Sequence, residues 1–344
     1  MDKTYDKIWG MIEKAKNILV LAHKQPDADA LGSAISLKIL IENMGKQATM
    51  ACYDKPSKKF SFLPHIDEFV VNFDLNDYDL MIFVDCGAHY MSNFHNIYKN
   101  IFTAGIPIVN IDHHASNDNF GDVNLVDPSA ASATVIIYRL LNYWGISIDE
   151  HVAICLMAGI YNDTGGFMHS NTNEEVYKIA ADLMKKGAKI GEVSKNLFHK
   201  NDVGTLKLWG NVFEKAYITS DKIAVSAVRE EDYEKLKVHP EQLSGAVEYL
   251  SMIPDARFAV LLNEDRKGNV KASFRTRRDG IDVSKVAQEF GGGGHPKASG
   301  FSIPGKIKKE VKYTVVFDKD KKALSFGCDL DRIASWKWMF GISR

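Results

Sequence analysis

From Asn17 the chain reads NILVLAH, a short apolar run with the length and composition of a strand buried on both faces. After a polar loop, LGSAISLKILIENMG follows a helical period. In it Leu31, Ala34, Ile35, Lys38, Ile39 and Glu42 predict one apolar and one polar face, with Gly45 as a C-terminal stop. QATMACY, LMIFVDC and IPIVNID repeat the strand signal, separated by helical or loop segments. Strands alternating with crossovers make a parallel α/β sheet, here expected to be doubly wound. SATVIIYRLLNYWG, EHVAICLMAGIYND and EEVYKIAADLMKKG predict three more helices, the last stopped at Gly187 after two lysines.

These elements are expected to form a first domain over residues 1–190, with 191–209 as a linker. From 210 to 305 the pattern shifts to short strands, DKIAVSAVR, ARFAVLLNED and NVKASFRTR, with a helix in DVSKVAQEF, which predicts a smaller α/β domain. Residues 306–344 read as a β-hairpin turning through DKDKK, followed by a short aromatic segment, an extension of unassigned role. A length of 344 residues agrees with two cores rather than one.

Composition removes several classes. A hydrophobic share of 45% and a charged share of 25%, without acidic, basic or Ser/Pro-rich tracts, specify a chain that folds throughout. Lys+Arg 43 against Asp+Glu 44 argues against a surface that tracks long nucleic acid, while leaving room for a local basic pocket. Cys52, Cys86, Cys155 and Cys328 stand far apart with no Cys-x-x-Cys pair, and are expected to be reduced and structural. No apolar stretch approaches a membrane span, and MDKTYDKIWGMIEKAKN is amphipathic and charged, unlike a signal peptide, so the cytoplasm is the expected compartment.

The candidate chemistry falls at strand ends. The first strand runs into His23, Asp27 and Asp29, the strand LMIFV ends in Asp85, and PIVNI ends in Asp112, His113 and His114. Open parallel sheets bind ligands outside the carboxyl ends of their strands, which is where these residues stand. Asp163, before the turn TGGF, can return a carboxylate to the same edge. One Asp at a strand end ordinarily caps the next helix, and Asp29 is the clearest candidate for that role. A lone histidine is ordinarily packing or surface, the expectation for His65, His89, His95, His151, His169, His199 and His239. Ligand-type residues ending three separate strands outweigh those readings.

So many carboxylates cannot be buried together without cations, because like charges raise one another's pKa and isolated buried charge is heavily penalised. Carboxylates with imidazole and no thiolate favour two divalent ions, Mn²⁺ first and Mg²⁺ or Co²⁺ next. Such pairs, roughly 3.5–4 Å apart, are the usual machinery of phosphoester cleavage. In the second domain, GGGGHPKASG offers glycine backbone to an anion, with His295 and Lys297 adding charge. Alternation in KASFRTRR puts Lys271, Ser273, Arg275 and Arg277 on one face and Ala272, Phe274 and Thr276 on the other. Arg275 is the favoured phosphate fork, although alternation alone does not choose it over Arg277.

The motifs HKQPDADALGS, VDCG, IDHHASN, YNDTGGF and GGGGHPKASG, in this order, resemble those of the DHH phosphoesterases with a DHH-associated C-terminal domain, over roughly residues 1–305. The resemblance implies that His23, Asp27 and Asp85 hold one metal and that Asp29, Asp85, His113 and Asp163 hold the other, with Asp85 bridging. It also implies that Asp112 orients the histidines and His114 faces the substrate phosphate. Arg275, with Gly292, Gly293, Gly294 and His295, would grip the substrate from the second domain, the active site being an interdomain cleft. Attack on phosphorus would proceed in line with the leaving oxygen. Ala28 stands where many relatives carry glycine, and the tail after Gly305 has no counterpart in the family pattern, which leaves open a homodimer.

The expected activity is hydrolysis of very short RNA (nanoRNA) to mononucleotides and dephosphorylation of 3′-phosphoadenosine 5′-phosphate (pAp), acting on a short RNA or small nucleotide, with no long nucleic acid and no membrane as partner. Hydrolysis of cyclic di-AMP or a linear dinucleotide is the nearest alternative. A non-catalytic, metal-organised nucleotide sensor is the alternative of another class. Pyrophosphatase and long single-strand exonuclease readings rank low.

Overall fold

The computed structural model describes residues 2–198 and 202–308, together with the backbone of 313–316 and 323–326; His199 and Cys328 lie outside them. The chain divides into two compact units, 1–201 and 202–344.

The first unit opens with α1 (Asp2–Lys14) and β1 (Asn17–Leu21), then α2 (Ala28–Asn43) and the strands β2 (Gln47–Ala51), β3 (Leu80–Val84), β4 (Ile108–Asp112) and β5 (Val123–Val126). The helices α3 (Ala133–Tyr143), α4 (Glu150–Asp163), α5 (Glu174–Lys185) and α6 (Ile190–Phe198) complete it. The five strands are parallel in the order β2-β1-β3-β4-β5, so strand order reverses between β1 and β3. A reversal of that kind opens a crevice at the carboxyl ends of the two strands.

The fully apolar strands are buried as their composition demands: Ile18 and Val20 of β1, with Ile82 and Val84 of β3, join the core built with the helices. Leu19, Leu21, Met81 and Phe83 point the other way, into a cluster with Phe94, Ile101 and Phe120 from the loops. One face of the sheet is therefore covered by α-helices and the other by aromatic loops with 3₁₀ turns. β5 was not legible, being a four-residue strand with only Val123 and Leu125 buried.

Helix α2 departs from expectation. It is buried from Ala28 to Ile41, including Ser33, Ser36 and Lys38, so it has no polar face. Two of these polar groups are paired: Ser36 Oγ donates to the Gly32 carbonyl at 2.7 Å and Lys38 pairs with Glu42 and Glu68, whereas Ser33 Oγ is buried without a hydrogen bond. Packing against α4 is close, since a Cβ on Gly32 would lie 2.4 Å from the Cys155 carbonyl oxygen.

The stretch 191–209, expected to be a linker, is largely helical. α6 belongs to the first unit, with Val193 in its core, and α7 (Val203–Glu214) opens the second. Ile190, Val193 and Leu197 in α6 and Thr205, Leu208 and Val212 in α7 recur at helical spacing, a signal that the polar residues around them obscured. The second unit continues with β6 (Tyr217–Ile218), β7 (Ile223–Val228), α8 (Glu230–Leu236), α9 (Ala246–Leu250), β8 (Phe258–Glu264), β9 (Asn269–Arg275), α10 (Ser284–Glu289), β10 (Gly293–His295) and β11 (Ala298–Pro304). Its six strands run β10-β11-β9-β8-β7-β6, parallel only between β7 and β8. The alternation expected in β9 holds: Ala272, Phe274 and Thr276 are buried, and Arg277 is exposed beyond the strand. The strands β12 (Tyr313–Val316) and β13 (Ala323–Phe326) pair antiparallel as the expected hairpin; its turn and the aromatic segment lie outside the described residues. Among the described residues no helix is long and apolar enough to cross a membrane.

Candidate metal centre and its family

The carboxyl ends of β1 and β3 bring His23 and Asp85 to the point where strand order reverses. His23 donates its Nδ1 proton to the Lys24 carbonyl at 2.8 Å, which turns Nε2 toward Asp85 Oδ2 at 3.5 Å and Asp27 Oδ1 at 3.9 Å. Asp27 is the N-cap of α2: its Oδ1 accepts from the Asp29 and Ala30 backbone at 2.9 and 3.2 Å. Asp29, expected to be that cap, lies inside the first turn and caps a different helix. Its carboxylate accepts from the Ala133 and Thr134 N–H groups at 2.6 and 2.9 Å, at the start of α3, and from Thr134 Oγ1 at 2.6 Å. Gly159 permits that approach, because a Cβ there would fall 2.5 Å from Asp29 Oδ1 and 2.4 Å from Thr134 Oγ1.

At the end of β4, Asp112 Oδ1 accepts from His114 Nδ1 and from the His113 backbone, both at 2.8 Å, and its Oδ2 accepts from Asn117 Nδ2 at 2.6 Å. His113 Nδ1 faces the Ala130 carbonyl at 3.4 Å, and its Nε2 lies 3.7 Å from Asp29 Oδ2, 3.4 Å from Asp85 Oδ1 and 3.2 Å from Asp163 Oδ2. Asp163 is the last residue of α4.

Ligand-type atoms thus form two adjoining groups, His23–Asp27–Asp85 and Asp29–His113–Asp163, with Asp85 also grouped with Asp112, His113 and His114. Asp85 is 2% exposed, its backbone held at a left-handed φ of 54°. Its Oδ1 is buried without a hydrogen bond, 3.4 Å from His113 Nε2 and 3.5 Å from His114 Nδ1. A buried carboxylate oxygen left in that state fits a cation better than it fits a closed protein network.

The electrostatics agree with a site short of positive charge. Burial, then Asp163 and Asp85, push Asp27 up to about 6, and the same causes raise Asp29. Burial would depress His23, but the hydrogen bond and charge of Asp85, with Asp27, raise it to about 10. His113 is likewise raised against its burial by Asp163 and Asp85, and His114 by Asp112 and Asp85. Burial would raise Asp85, yet the close imidazoles of His113, His23 and His114 hold it well below the usual carboxylate range.

The first unit therefore brings together every expected residue that it contains: His23, Asp27, Asp29, Asp85, Asp112, His113, His114 and Asp163. Sequence reasoning missed Thr134, Gly159, Asn117 and Asn162. The two asparagines sat inside quoted motifs without a role, whereas nothing marked Thr134 or Gly159. His169, expected to be packing or surface, closes over Gly165 with its Nδ1 donating to the Asp163 carbonyl at 3.1 Å.

In the second unit, register places Arg275, Ala298 and His295 in one row across β9, β11 and β10. Arg275 Nε is hydrogen-bonded to Glu248 Oε1, and its Nη1 donates to the Phe274 carbonyl at 2.8 Å. The glycines, expected to line an open anion loop, are largely engaged by the fold. Gly291 and Gly292 close the end of α10 on the Gln288 and Ala287 carbonyls, each at 2.9 Å, and a Cβ on Gly292 would strike the Gly300 carbonyl oxygen. Gly293 and Gly294 continue into the edge strand β10.

A parallel sheet whose C-terminal edge carries two adjoining carboxylate–imidazole groups is the framework of a metal-dependent phosphoesterase. The sequence places it more closely: residues 17–160 match the N-terminal domain of the DHH family and residues 220–316 match the DHHA1 domain, the latter reaching past the boundary expected at 305. The chain belongs to the DHH family, whose phosphoesterases are metal-dependent hydrolases of phosphate esters.

Among its relatives, the bifunctional oligoribonuclease and PAP phosphatase NrnA of Bacillus subtilis (strain 168) is 28% identical over 289 residues, covering 83% of this chain and 89% of the relative. An exopolyphosphatase-related protein from Bacteroides fragilis superposes with a TM-score of 0.81 at 22% identity, covering 89% of this chain and 93% of that one. RecJ from Thermus thermophilus, solved in complex with Mn²⁺, gives a TM-score of 0.51 at 15% identity over 88% of this chain and 51% of its own. These structural likenesses show the fold.

Proposed function

We propose that the protein hydrolyses short oligoribonucleotides to mononucleotides and dephosphorylates 3′-phosphoadenosine 5′-phosphate in the cytoplasm, with two Mn²⁺ ions. The observation that carries the catalytic reading is the buried Asp85 carboxylate standing between two groups of ligand-type atoms, one of its oxygens without a hydrogen bond. The NrnA relative, matched along 83% of this chain, supports the choice of substrates.

In this reading His23, Asp27 and Asp85 hold one ion, Asp29, Asp85, His113 and Asp163 the other. Bound there, the ions supply Lewis acidity and activate water for attack on phosphorus. The chain's own residues do the rest. Asp112 accepts the Nδ1 proton of His114 and, with Asp85, favours the imidazolium, whose Nε2–H can donate to a phosphoryl oxygen. Backbone N–H groups at the starts of α2 and α3 hold Asp27 and Asp29 in place before substrate arrives. Arg275 and His295, separated across the row by Ala298, suit a phosphate placed over that small residue. Membership of that row favours Arg275 over Arg277, and its engagement requires exchange of Glu248 for phosphate.

The test is a parallel measurement of kcat/KM in Mn²⁺ for an RNA dinucleotide, 3′-phosphoadenosine 5′-phosphate, cyclic di-AMP and pyrophosphate. Preference for the first two is expected. Preference for cyclic di-AMP would replace the substrate, and bound metal without cleavage of any of the four would make the protein a nucleotide sensor.

A further inference from the structure

Asn162 is the penultimate residue of α4, and its side-chain nitrogen donates to both metal-binding groups: to Asp27 Oδ2 at 3.1 Å and to Asp163 Oδ1 at 3.0 Å. A primary amide carries two N–H donors, and here each has a different carboxylate. The other oxygens of those carboxylates are already aimed. Asp27 Oδ1 is held by the first amides of α2 and lies 3.9 Å from His23 Nε2, while Asp163 Oδ2 lies 3.2 Å from His113 Nε2. The backbone from which this side chain reaches is fixed in turn, the Asn162 main-chain carbonyl accepting from the Gly165 N–H at 3.0 Å as α4 ends.

Two carboxylates from separate elements repel when brought together, and a neutral donor between them relieves that repulsion without occupying the place of a cation. The bridge also makes their positions interdependent. Asp85 links the groups from the β3 side; Asn162 links them from α4.

We propose that Asn162 is a positioning residue that couples the two metal-binding groups, holding Asp27 and Asp163 so that the first bound ion prepares the place of the second. The inference rests on the two-metal reading of the site.

The experiment titrates the full-length, metal-stripped protein with Mn²⁺, following stoichiometry and affinity by calorimetry and ion–ion proximity by low-temperature EPR. The wild type takes two ions per chain, and at one equivalent it shows a spin-coupled pair beside empty protein. Asn162→Leu preserves size and removes both donors. It is expected to bind Mn²⁺ about 10-fold more weakly, as loss of an outer partner does, and to give an isolated-ion spectrum at one equivalent. Asn162→Gln, whose longer arm reaches one carboxylate, recovers part of the affinity without the coupled signal, and it carries the test if the leucine variant does not fold.

Wild-type affinity and a coupled spectrum in both variants would overturn the role of Asn162 alone. A wild type that binds no pair of ions would overturn the metal reading beneath it.

Discussion

The sheet edge of the first unit and the Arg275 row of the second differ in how far their polar groups are satisfied within the fold. Around the first, Asp29 is held by the start of α3, Asp112 by His114 and Asn117, and Asp27 by α2, yet Asp85 Oδ1 is buried with no hydrogen bond. In the second, Arg275 has Glu248, Lys297 has Asp279 and the Arg278 carbonyl, and Gly292 packs on the Gly300 carbonyl. One region holds its carboxylates in place from the surrounding helices and leaves a buried oxygen unbonded at their centre. The other is self-satisfied and has to give up an internal ion pair to take an anion. Preorganised ligands favour tight metal binding, whereas exchangeable ion pairs favour release of product.

The largest expected effect comes from the centre of the first region. Asp85→Ala removes the carboxylate between both groups, and kcat/KM for the RNA dinucleotide is expected to fall on the order of 10³-fold or more. Metal analysis should then find fewer than two Mn²⁺ per chain. Wild-type rates with clean metal controls would remove Asp85 from the centre and collapse the comparison.

A smaller loss is expected where packing sets the geometry. In Gly159→Ala the new methyl would lie 2.5 Å from Asp29 Oδ1. Overpacking of this kind costs about 1–3 kcal/mol in stability, and displacement of Asp29 is expected to lower kcat by up to about 10²-fold. Denaturant titration and steady-state kinetics check the two separately. A destabilised variant with unchanged kcat would show that Asp29 needs no such exact placement.

What the sequence made legible follows the same division. β1, β3 and β4 were readable because short strands buried on both faces are mostly apolar, interrupted only by Asn17 in β1 and Asn110 in β4, and their ends carried the candidate ligands with them. The partners that fix those ligands depend on contacts between distant segments. Thr134 meets Asp29 across 105 positions and Asn162 meets Asp27 across 135, spacings that no local pattern encodes. The same reason hid the register that aligns Arg275 with His295, although the alternation of β9 was plain. α2 was misread because a helix buried all round absorbs a lysine or serine by pairing it, and composition alone makes that look like a solvent face.

The second region offers a test of moderate size. Arg275→Ala is expected to raise KM for both proposed substrates about 10-fold, the loss of one charge-assisted hydrogen bond, with kcat less affected. Glu248→Gln, which leaves the guanidinium without its anionic partner, should lower KM. Steady-state kinetics on the same two substrates reads both variants. Unchanged KM in Arg275→Ala would take the phosphate grip away from this row.

The smallest effect concerns a charge in the first unit that is self-satisfied, as those of the second unit are. Lys38 is 5% exposed, with Nζ 2.5 Å from Glu42 Oε1 and 3.0 Å from Glu68 Oε2. Burial would lower its pKa, but the hydrogen bonds and charges of the two glutamates raise it above the usual 10.5. Burial would raise Glu68, but His65 and Lys38 hold it below the usual 4.5. The lysine's contribution to stability is thus complete below its unfolded pKa and is lost as pH rises through the elevated folded value. That of Glu68 is complete above its unfolded pKa and is lost as pH falls through the depressed folded value.

The glutamates are 41% and 49% exposed, so solvent screening limits the pairing to about 0–1 kcal/mol, at most a few °C in Tm. Lys38→Met keeps the apolar stem and removes the charge. Its Tm should fall slightly below wild type at pH 7. The gap should narrow in acid as Glu68 protonates and in strong alkali as Lys38 loses its proton, while kcat/KM at pH 7 equals that of the wild type. The absence of a gap at any pH would mean that Lys38 stabilises α2 through its stem alone, and a fall in kcat/KM would mean that charge on this helix reaches the metal centre.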